Sequence, residues 1–366
     1  MHIVMVGCRG IPATYGGVER VVEELAIRLT RRGHKVSVIC RTNYTLKMST
    51  YNQVNIIRLP AFNQKHFEMI THTSLASLYL VLKKFDVVHI HSVDPAILTP
   101  FVKPFHPIVA TSHGQAYRRE KWGRIAKSLS RTAEKIFIKS PNICTAVSKT
   151  LAKYYFNKYG HKVTYIPNGI EIQQPVSSFY IEQFGLKSDK YILFVGRLMA
   201  TKGPKLFIDA YKRTGLDMKL VIVGGSSHTN EYEMSLKKEA DKNILFLGYQ
   251  YGKTLQSLYS NCKIFVFPSQ IEGLPIVLLE ALSFLRPVIF SDIPENMEVA
   301  NGIGIPFKSG DIDDLADKLN YAVKNTEKLN YNKLEIEKRL REEYDWDAIT
   351  DKYISIYKNA INNGKI

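Results

Sequence analysis

Short runs of β-branched and aromatic residues alternate with stretches of helical periodicity along the chain, and this alternation constrains the fold most. In the first unit of the pattern, a strand ends near Gly7, and apolar residues then recur every three or four positions from Val18 to Leu29. Gly33 ends this helix, and residues 35–40 form the next strand. Strands connected by helices pair in parallel. The pattern therefore predicts an α/β fold with helices on both faces of parallel sheets.

A second series of strands follows residues 171–189, a polar stretch with the composition of a linker. The later strands of the first series are predicted at residues 87–91, 108–111, 143–147 and 163–166, and those of the second at residues 191–195, 220–223, 244–247, 264–267 and 288–290. The 366-residue chain is 45% hydrophobic and long enough for two cores. We predict two doubly wound, Rossmann-like domains, residues 1–172 and 173–345, which face a central cleft at the carboxyl ends of their strands.

Two acidic residues eight positions apart, Glu272 and Glu280, flank a Gly-Leu-Pro turn that opens an apolar helix. A helix start carries unpaired N–H groups and a partial positive charge, so this turn suits an anionic ligand such as a diphosphate. Pro275 is expected at the first helical position, where its fixed φ is already helical. The acids would repel phosphate, so we interpret them as acceptors for sugar or ribose hydroxyls. The spacing alone is equally consistent with a buried helix that has an exposed glutamate at each end.

Further motifs occur in a fixed order along the chain. Residues 12–19 read Pro-Ala-Thr-Tyr-Gly-Gly-Val-Glu, residues 166–170 read Ile-Pro-Asn-Gly-Ile, and residues 194–197 read Phe-Val-Gly-Arg, followed by Lys202 and Gly203. Together with the two-glutamate motif, they resemble the signature of the family 4 retaining glycosyltransferases. This resemblance implies the GT-B fold and a nucleotide-sugar donor. It also implies that the last helix, about residues 346–366, packs back on the first domain.

The resemblance assigns roles to individual residues. Arg197 and Lys202 would neutralise a diphosphate leaving group, while Glu272 would bind the donor sugar and Glu280 the ribose. Glycines and turn residues whose main chain can approach a ligand complete the expected donor-binding set: Gly16, Gly17, Gly196, Gly224, Gly248, Gly273, Leu274, Pro275 and Ile276. For Gly16 and Gly17, a turn that needs glycine only for its bend is the alternative. One departure is Leu285, where the family usually has glycine.

Histidines near strand ends are further candidates. His113 follows the strand at residues 108–111 and matches the histidine that family members place beside the donor sugar, so we expect a catalytic role for it. A lone histidine there is also often structural. The family more commonly has Asp at the next position, which is Gly114 here, so that role does not transfer. His89 and His91 share one face of a strand, and with no third ligand evident we interpret them as packing residues.

No metal or other cofactor is expected, since the nucleoside-diphosphate sugar is a substrate. Asp311 and Asp313 superficially match the acid pair that holds a metal in other glycosyltransferase folds, but Asp311 follows Gly310 and opens a helix, so capping explains it. The four cysteines are scattered, without the paired spacing of a zinc or redox motif. They are typical of free thiols in a reducing compartment.

The positive charge of the chain is confined to its first half. Residues 1–172 contain 25 Lys and Arg against 9 Asp and Glu, whereas residues 173–366 contain 25 of each kind. Because no nucleic-acid motif is present, this excess favours an anionic membrane surface as a partner. Basic residues at 121–139 recur beside an apolar stripe, as in a helix that lies on lipid. The alternative is that the stripe packs on the sheet and the charges face water.

We therefore expect a retaining, metal-independent hexosyltransferase that moves a sugar from a nucleoside-diphosphate sugar to a hydroxyl of a glycan or lipid-linked acceptor in surface polysaccharide or glycoconjugate synthesis. Residues 113–123 are similar to a subgroup that includes rhamnosyltransferases of bacterial surface polysaccharides. A nucleotide-sugar epimerase and a non-catalytic nucleotide-sugar-binding scaffold are the alternatives. The chain begins directly in a predicted strand, so we expect a cytoplasmic protein at the inner face of the cell membrane.

Overall fold

A computed structural model of the chain describes residues 1–14, 16–62, 68–115, 124–226, 230–325 and 333–364. The chain divides into two compact units. Unit 1 contains Met1–Gly169 and Tyr344–Ile366, and unit 2 contains Ile170–Glu343. Each unit has its own sheet, so the predicted α/β class is confirmed.

Unit 1 is built on an eight-stranded sheet. Its elements are β1 (His2–Val6), α1 (Gly17–Arg31), β2 (Lys35–Arg41), β3 (Thr50–Tyr51), β4 (Val54–Leu59), α2 (Glu68–Leu82), β5 (Val87–His91), α3 (Thr99–Val102), β6 (Ile108–Ser112), α4 (Arg124–Lys139), β7 (Ile143–Ala146), α5 (Lys149–Tyr159), β8 (Thr164–Tyr165) and the last helix of the chain, α14 (Trp346–Asn363). The strand order is β3-β4-β2-β1-β5-β6-β7-β8. β3 pairs with β4 in antiparallel fashion and the other neighbours pair in parallel. The central strands are thereby buried on both faces.

Unit 2 is a six-stranded parallel sheet with helices. Its elements are α6 (Phe179–Glu182), β9 (Tyr191–Val195), α7 (Pro204–Thr214), β10 (Lys219–Val223), α8 (Asn230–Lys237), β11 (Ile244–Phe246), α9 (Gly252–Asn261), β12 (Ile264–Phe267), α10 (Ile276–Ser283), β13 (Val288–Ser291), α11 (Pro294–Ala300), β14 (Ile305–Phe307), α12 (Ile312–Lys324) and α13 (Lys333–Glu343). The strand order is β11-β10-β9-β12-β13-β14. This is the order of doubly wound nucleotide-binding folds, and its direction of winding reverses between β9 and β12. Ligands of such sheets bind at the carboxyl ends of the strands beside that switch point.

The strands that were not predicted from the sequence lie at or near the edges of the sheets. β3 and β4 were not predicted, and β4 interrupts its apolar residues with Asn55 and Arg58. β14 was also missed, because it has three residues and contains Pro306, which only an edge strand tolerates well. β9, β12 and β5 match their predicted bounds. The four cysteines are buried free thiols.

The last helix joins unit 1 through tyrosines that reach buried histidines. The hydroxyl of Tyr357 lies 2.8 Å from Nδ1 of His89, whose Nε2 lies 2.7 Å from the hydroxyl of Thr111. The ring of His89 packs on the ring of His91, with centroids 3.9 Å apart. His89 therefore holds α14 to the sheet, in agreement with its interpretation as a packing residue. Within the described residues, no helix is both long and apolar enough to cross a membrane.

We expect unit 1 to lose stability in mild acid because it buries neutral histidines. Burial lowers the pKa of His89 to about 3 and that of His72 to about 4. In the unfolded chain the pKa of histidine is about 6.5. Below that pH the unfolded state therefore binds protons that the buried histidines of the folded state do not bind. The free energy of unfolding should fall by about 1–2 kcal/mol per histidine between pH 7 and pH 5.

Urea unfolding of the full chain at the two pH values measures this effect. His72→Phe should flatten the pH dependence, whatever it does to absolute stability. His161→Asn is the control, because His161 is exposed. Equal pH dependence in both variants would contradict the explanation.

Candidate functional site

Two loops of unit 2 meet at the switch point of its sheet. The first, residues 196–203, follows β9 and is called the lysine loop; the second, residues 268–275, follows β12 and is called the glutamate loop. Lys202 donates a hydrogen bond from Nζ to Oε1 of Glu272, although the two residues are 70 positions apart in sequence. Both side chains are largely buried, at 17% and 10% exposure. The structure thus brings together two residues that were predicted from the sequence to bind the same nucleotide-sugar donor.

Backbone contacts hold the two loops together beneath this ion pair. The N–H of Gln270 donates to the carbonyl oxygen of Thr201 over 2.9 Å. Gly203 has φ of +71°, and a Cβ atom placed on it would lie 2.4 Å from the carbonyl oxygen of Pro268. No larger residue fits there without moving one of the loops. Gly203 is therefore a structural requirement for the approach of Lys202 to Glu272.

Buried polar residues that the sequence did not single out support the glutamate loop. Ser269 and Ser291 follow β12 and end β13, and the hydroxyl of Ser291 donates to the carbonyl oxygen of Ser269. The side-chain amide of Asn296 donates to the hydroxyl and carbonyl oxygens of Ser291, at 2.9 and 3.1 Å. All three residues are fully buried. Small polar residues at the ends of adjacent buried strands are the signal that could have found them.

Arg197 lies in the lysine loop with its side chain exposed. The next residue, Leu198, donates its N–H to the carbonyl oxygen of Gly225 over 3.1 Å, and Met199 donates to the carbonyl of Arg197 itself over 3.0 Å. The backbone at Arg197 is therefore fixed to the neighbouring loop after β10. Its side chain is exposed in the same loop as Lys202.

The three candidate glycines Gly196, Gly224 and Gly248 follow the adjacent strands β9, β10 and β11. The N–H of Gly224 donates to the carbonyl oxygen of Gly248 over 2.7 Å, and that of Gly196 donates to Val223 over 3.0 Å. A Cβ atom on Gly224 would lie 1.9 Å from the carbonyl oxygen of Gly196. Close packing of these loops therefore requires glycine at 224 even without a ligand. Beyond them, the exposed rings of Tyr249 and Tyr251 stack, with centroids 6.4 Å apart.

The turn that opens α10 differs from the sequence prediction. Pro275 was expected as the first helical residue, but it precedes the helix, with ψ of 81°. The reason is a tight turn in which the N–H of Ile276 donates to the carbonyl oxygen of Leu274 over 3.0 Å. That amide, which was expected to face a phosphate, is paired within the chain. Leu274 is buried beneath the turn, next to Gly273.

Glu280 lies on α10 with 9% exposure, and its Oε2 accepts a hydrogen bond from the hydroxyl of Tyr259 over 2.9 Å. The ring of Tyr259 stacks on Phe284, with centroids 5.6 Å apart. Since Glu272 is also mostly covered, the alternative of a helix flanked by exposed glutamates is wrong. Each carboxylate accepts a hydrogen bond from a named donor, Lys202 for Glu272 and Tyr259 for Glu280.

The helix end after Glu280 shows why the family pattern has glycine there. Leu285 has φ of +54°, the left-handed conformation that glycine adopts most easily. The N–H of Leu285 donates to the carbonyl of Leu282 over 2.9 Å, which closes the last turn. The backbone thus keeps the shape expected for glycine in spite of the leucine side chain.

The remaining candidates lie in unit 1. His113 directly follows β6, with its Nε2 3.1 Å from Nδ1 of His91. Burial lowers the pKa of His113 to about 4, so its imidazole is neutral at pH 7. Gly16 caps the N-terminus of α1 in an extended conformation, and Gly17 is the first residue of that helix. A Cβ atom on Gly16 would lie 2.9 Å from Oε2 of Glu19, the far end of a flexible side chain.

Asp311 caps α12 as the sequence indicated. Its carboxylate accepts hydrogen bonds from the N–H groups of Asp313 and Asp314, each over 3.1 Å, and these bonds lower its pKa. The capping interpretation is confirmed. Among the residues that the structure describes, no three His, Cys, Asp or Glu side chains are grouped as metal ligands.

Comparisons with known proteins agree with this architecture. The family model described as "Glycosyltransferase Family 4" matches residues 15–174, and the model described as "Glycosyl transferases group 1" matches residues 177–341. The two matches follow each other along the chain and leave only short ends uncovered.

Curated relatives and solved structures extend over nearly the whole chain. The O-antigen chain mannosyltransferase C of Escherichia coli is 27% identical over 376 residues, which cover 96% of each chain. The Escherichia coli UDP-Gal:alpha-D-GlcNAc-diphosphoundecaprenol alpha-1,3-galactosyltransferase is 27% identical over 383 residues, which cover 94% of this chain and 95% of that one. The solved sucrose-phosphate synthase of Thermosynechococcus elongatus superposes with a TM-score of 0.84 at 17% identity, over 99% of both chains.

The two matched models, the full-length relatives and the pair of doubly wound units lead to one conclusion. This chain belongs to glycosyltransferase family 4 and is a hexosyltransferase-type enzyme of the GT-B fold.

Proposed function

We propose that the protein is a retaining, metal-independent glycosyltransferase that moves a sugar from a nucleoside-diphosphate sugar to a hydroxyl of a lipid-linked or glycan acceptor. The observation that carries the proposal is the pairing of Lys202 with Glu272 at the switch point of unit 2. This pairing gathers a cation, a carboxylate and the start of a helix where doubly wound sheets bind nucleotides.

The ion pair suits the simultaneous binding of a phosphate and a sugar. The ammonium group of Lys202 has three donors, so it can bind Glu272 and a phosphate oxygen together. Its charge offsets that of Glu272 and reduces the repulsion between this carboxylate and the diphosphate. The free oxygen of Glu272 is the proposed acceptor for a hydroxyl of the donor sugar. Exposed Arg197 would supply the second cation.

The nucleoside end of the donor is assigned to the neighbouring residues. We assign Glu280, whose carboxylate accepts a hydrogen bond from Tyr259, to the ribose hydroxyls. Gly196, Gly224 and Gly248 would present backbone to the nucleotide. The amide of Gly273 at the turn before α10 would contribute to the diphosphate site, together with the positive end of the helix.

The chemistry requires stabilisation of a departing diphosphate. As the bond between the anomeric carbon and the phosphate oxygen breaks, negative charge grows on the phosphate, and Lys202 and Arg197 would stabilise it. The phosphate oxygen would take the proton of the acceptor hydroxyl, whose oxygen then bonds to the anomeric carbon from the same face. This path needs no carboxylate nucleophile. Neutral His113 is the proposed hydrogen-bond partner of a donor-sugar hydroxyl, and Gly16 and Gly17 would approach the donor with bare backbone.

The acceptor and location are inferred from the relatives and from charge. One relative is named as an O-antigen chain mannosyltransferase, and another by an acceptor linked to diphosphoundecaprenol. Both names support a surface-polysaccharide acceptor carried on lipid. The excess of 25 basic over 9 acidic residues in residues 1–172 supports a cytoplasmic enzyme that works at an anionic membrane surface.

Product analysis tests the reaction. A thermal-shift screen against nucleoside diphosphates and their sugars first identifies the donor, because a specific ligand at about 100 times its Kd adds about 2.7 kcal/mol of stability. We then expect transfer with retained anomeric configuration, seen by proton NMR, at the same rate with and without EDTA. An inverted product or loss of activity in EDTA would contradict the proposal, and an isomerised donor formed without acceptor would indicate an epimerase.

Replacement of the paired lysine should slow the chemical step. We expect Lys202→Met to lower kcat by about 10²–10³-fold, because the departing phosphate loses a preorganised cation. Glu272→Gln should also lower kcat, since it removes the group that positions Lys202. Lys205→Met is the matched control, because Lys205 instead pairs with Asp209 and Glu239. A Lys202→Met enzyme as fast as this control would rule out the assignment.

The approach of the two loops predicts a second effect, at Gly203. Gly203→Ala should reduce both stability and kcat, because the new methyl group meets the carbonyl of Pro268 and separates Lys202 from Glu272. Gly215→Ala is the control: Gly215 has a similar φ of +63°, but a Cβ atom there meets nothing within 4 Å. The control should lose only about 1–2 kcal/mol from the left-handed backbone and keep its kcat. Equal kinetics for the two folded variants would show that loop approach does not matter.

A further inference from the structure

Helix α2 exposes apolar side chains to solvent. From Met69 to Leu82 it contains no charged residue. Leu75, Leu78 and Leu82 recur at intervals of three and four, which places them on one face, and they are 40%, 59% and 71% exposed. The other side of the helix is already used, because Ala76 and Leu80 are buried in the core of unit 1. A helix that is apolar on both sides needs a second apolar neighbour.

The exposed apolar surface continues on a neighbouring element. α2 packs against α3, and around α3 the side chains of Phe101 and Phe105 are 66% and 56% exposed. Two phenylalanines and three leucines in adjoining segments exceed the scattered apolar residues of an ordinary surface. We call Leu75, Leu78, Leu82, Phe101 and Phe105 the apolar face.

The charges around the apolar face are basic. Lys83 and Lys84 directly follow Leu82, Lys103 lies between the two phenylalanines, and all three are exposed. α3 also packs against α4, whose exposed residues include Arg131, Lys135 and Lys139.

Two of the three acids in residues 69–112 and 127–140 are buried and engaged within unit 1. Asp94 accepts a hydrogen bond from Ser130, and Glu134 is paired with Lys158. Asp86 is the exposed acid of these segments.

We propose that the apolar face enters the boundary between headgroups and acyl chains of an anionic bilayer, while Lys83, Lys84 and Lys103 bind lipid phosphates at its rim. This inference rests on the membrane partner of the proposed function and assigns the surface that contacts it. The side of α4 that carries Ala133, Phe137 and Ile138 is not available for insertion, because these residues are buried in unit 1. Residues 121–123 of the predicted basic helix lie outside the described residues.

A lipid surface fits this face better than a second copy of the chain. A symmetric dimer would bring the same lysines of both copies together, and like charges across an interface are unfavourable. Anionic phosphates complement those lysines, and acyl chains complement the leucines and phenylalanines between them.

Sedimentation of the full chain with vesicles tests the proposal. Vesicles of phosphatidylcholine with one-third phosphatidylglycerol should capture the protein more strongly than vesicles of phosphatidylcholine alone. Added salt should weaken capture without abolishing it, because apolar insertion does not depend on salt. Leu78→Gln/Leu82→Gln and Phe101→Ser/Phe105→Ser should each lower the partition coefficient by at least about tenfold.

Matched controls come from unit 2. Phe179→Ser/Leu334→Gln changes two apolar residues that are 70% and 80% exposed, and it should leave capture unchanged. Lys83→Gln/Lys84→Gln should reduce the dependence of capture on salt and on phosphatidylglycerol, whereas Lys187→Gln/Lys190→Gln, also exposed, should not. Circular dichroism checks that each variant is folded.

Several results would overturn the inference. The first is that the wild-type protein stays in the supernatant, and the second is that vesicles capture the apolar-face variants as strongly as wild type. The third is that sedimentation velocity shows a wild-type dimer, which the variants disrupt without a change in capture. Transfer from the nucleotide sugar to a water-soluble acceptor separates the two proposals, because the apolar-face variants should retain it. If vesicles capture the protein but it shows no transfer activity, the result would support the membrane-binding surface and contradict the proposed function.

Discussion

The ion pair between Lys202 and Glu272 is the interaction on which the proposed donor site depends. Removing two charges from water is costly, and their attraction offsets that cost only with good geometry and further hydrogen bonds. Here the backbone supplies the geometry: Gln270 bonds to Thr201, and Gly203 lets the Pro268 carbonyl approach. The loops are therefore held close by groups that carry no charge, and the ion pair forms as a consequence. A diphosphate would therefore meet Lys202 and Glu272 already in position.

The topology explains why these loops are neighbours. β9 and β12 are adjacent in the sheet, although α7, β10, α8, β11 and α9 lie between them along the chain. Unit 1 has the same arrangement at its own switch point, where β1 lies beside β5 although β2, β3 and β4 come between them in sequence. There Gly7, with φ of +106°, would place a Cβ atom 2.0 Å from the carbonyl oxygen of His91. In both units a glycine that follows a central strand allows close approach of the backbone at the end of the neighbouring strand.

The parts of this structure that the sequence predicts are those determined by local patterns. The buried strands β9 and β12 are uninterrupted runs of apolar and aromatic residues, and the cap at Asp311 follows from one residue before a helical repeat. The pairing of Lys202 with Glu272 depends on strand order, which no local pattern encodes. The position of Pro275 was wrong because a turn between Leu274 and Ile276 competes with the first turn of the helix. Leu285 shows the converse, since tertiary structure imposes on it a backbone conformation that its side chain disfavours.

The excess of basic residues and the proposed donor site lie in different parts of the chain. The basic excess lies in residues 1–172, but the proposed diphosphate site lies in unit 2, and residues 173–343 of that unit contain 22 Lys and Arg and 22 Asp and Glu. Many bases of unit 2 are engaged with acids, as Arg213 is with Asp313 and Lys237 with Glu233. Such surface pairs contribute little stability, but they lower the field that a polyanion would meet elsewhere on this unit. Exposed Arg197 is then distinguished by its position in the loop after β9, and net charge identifies only the broad surface that is proposed to face a membrane.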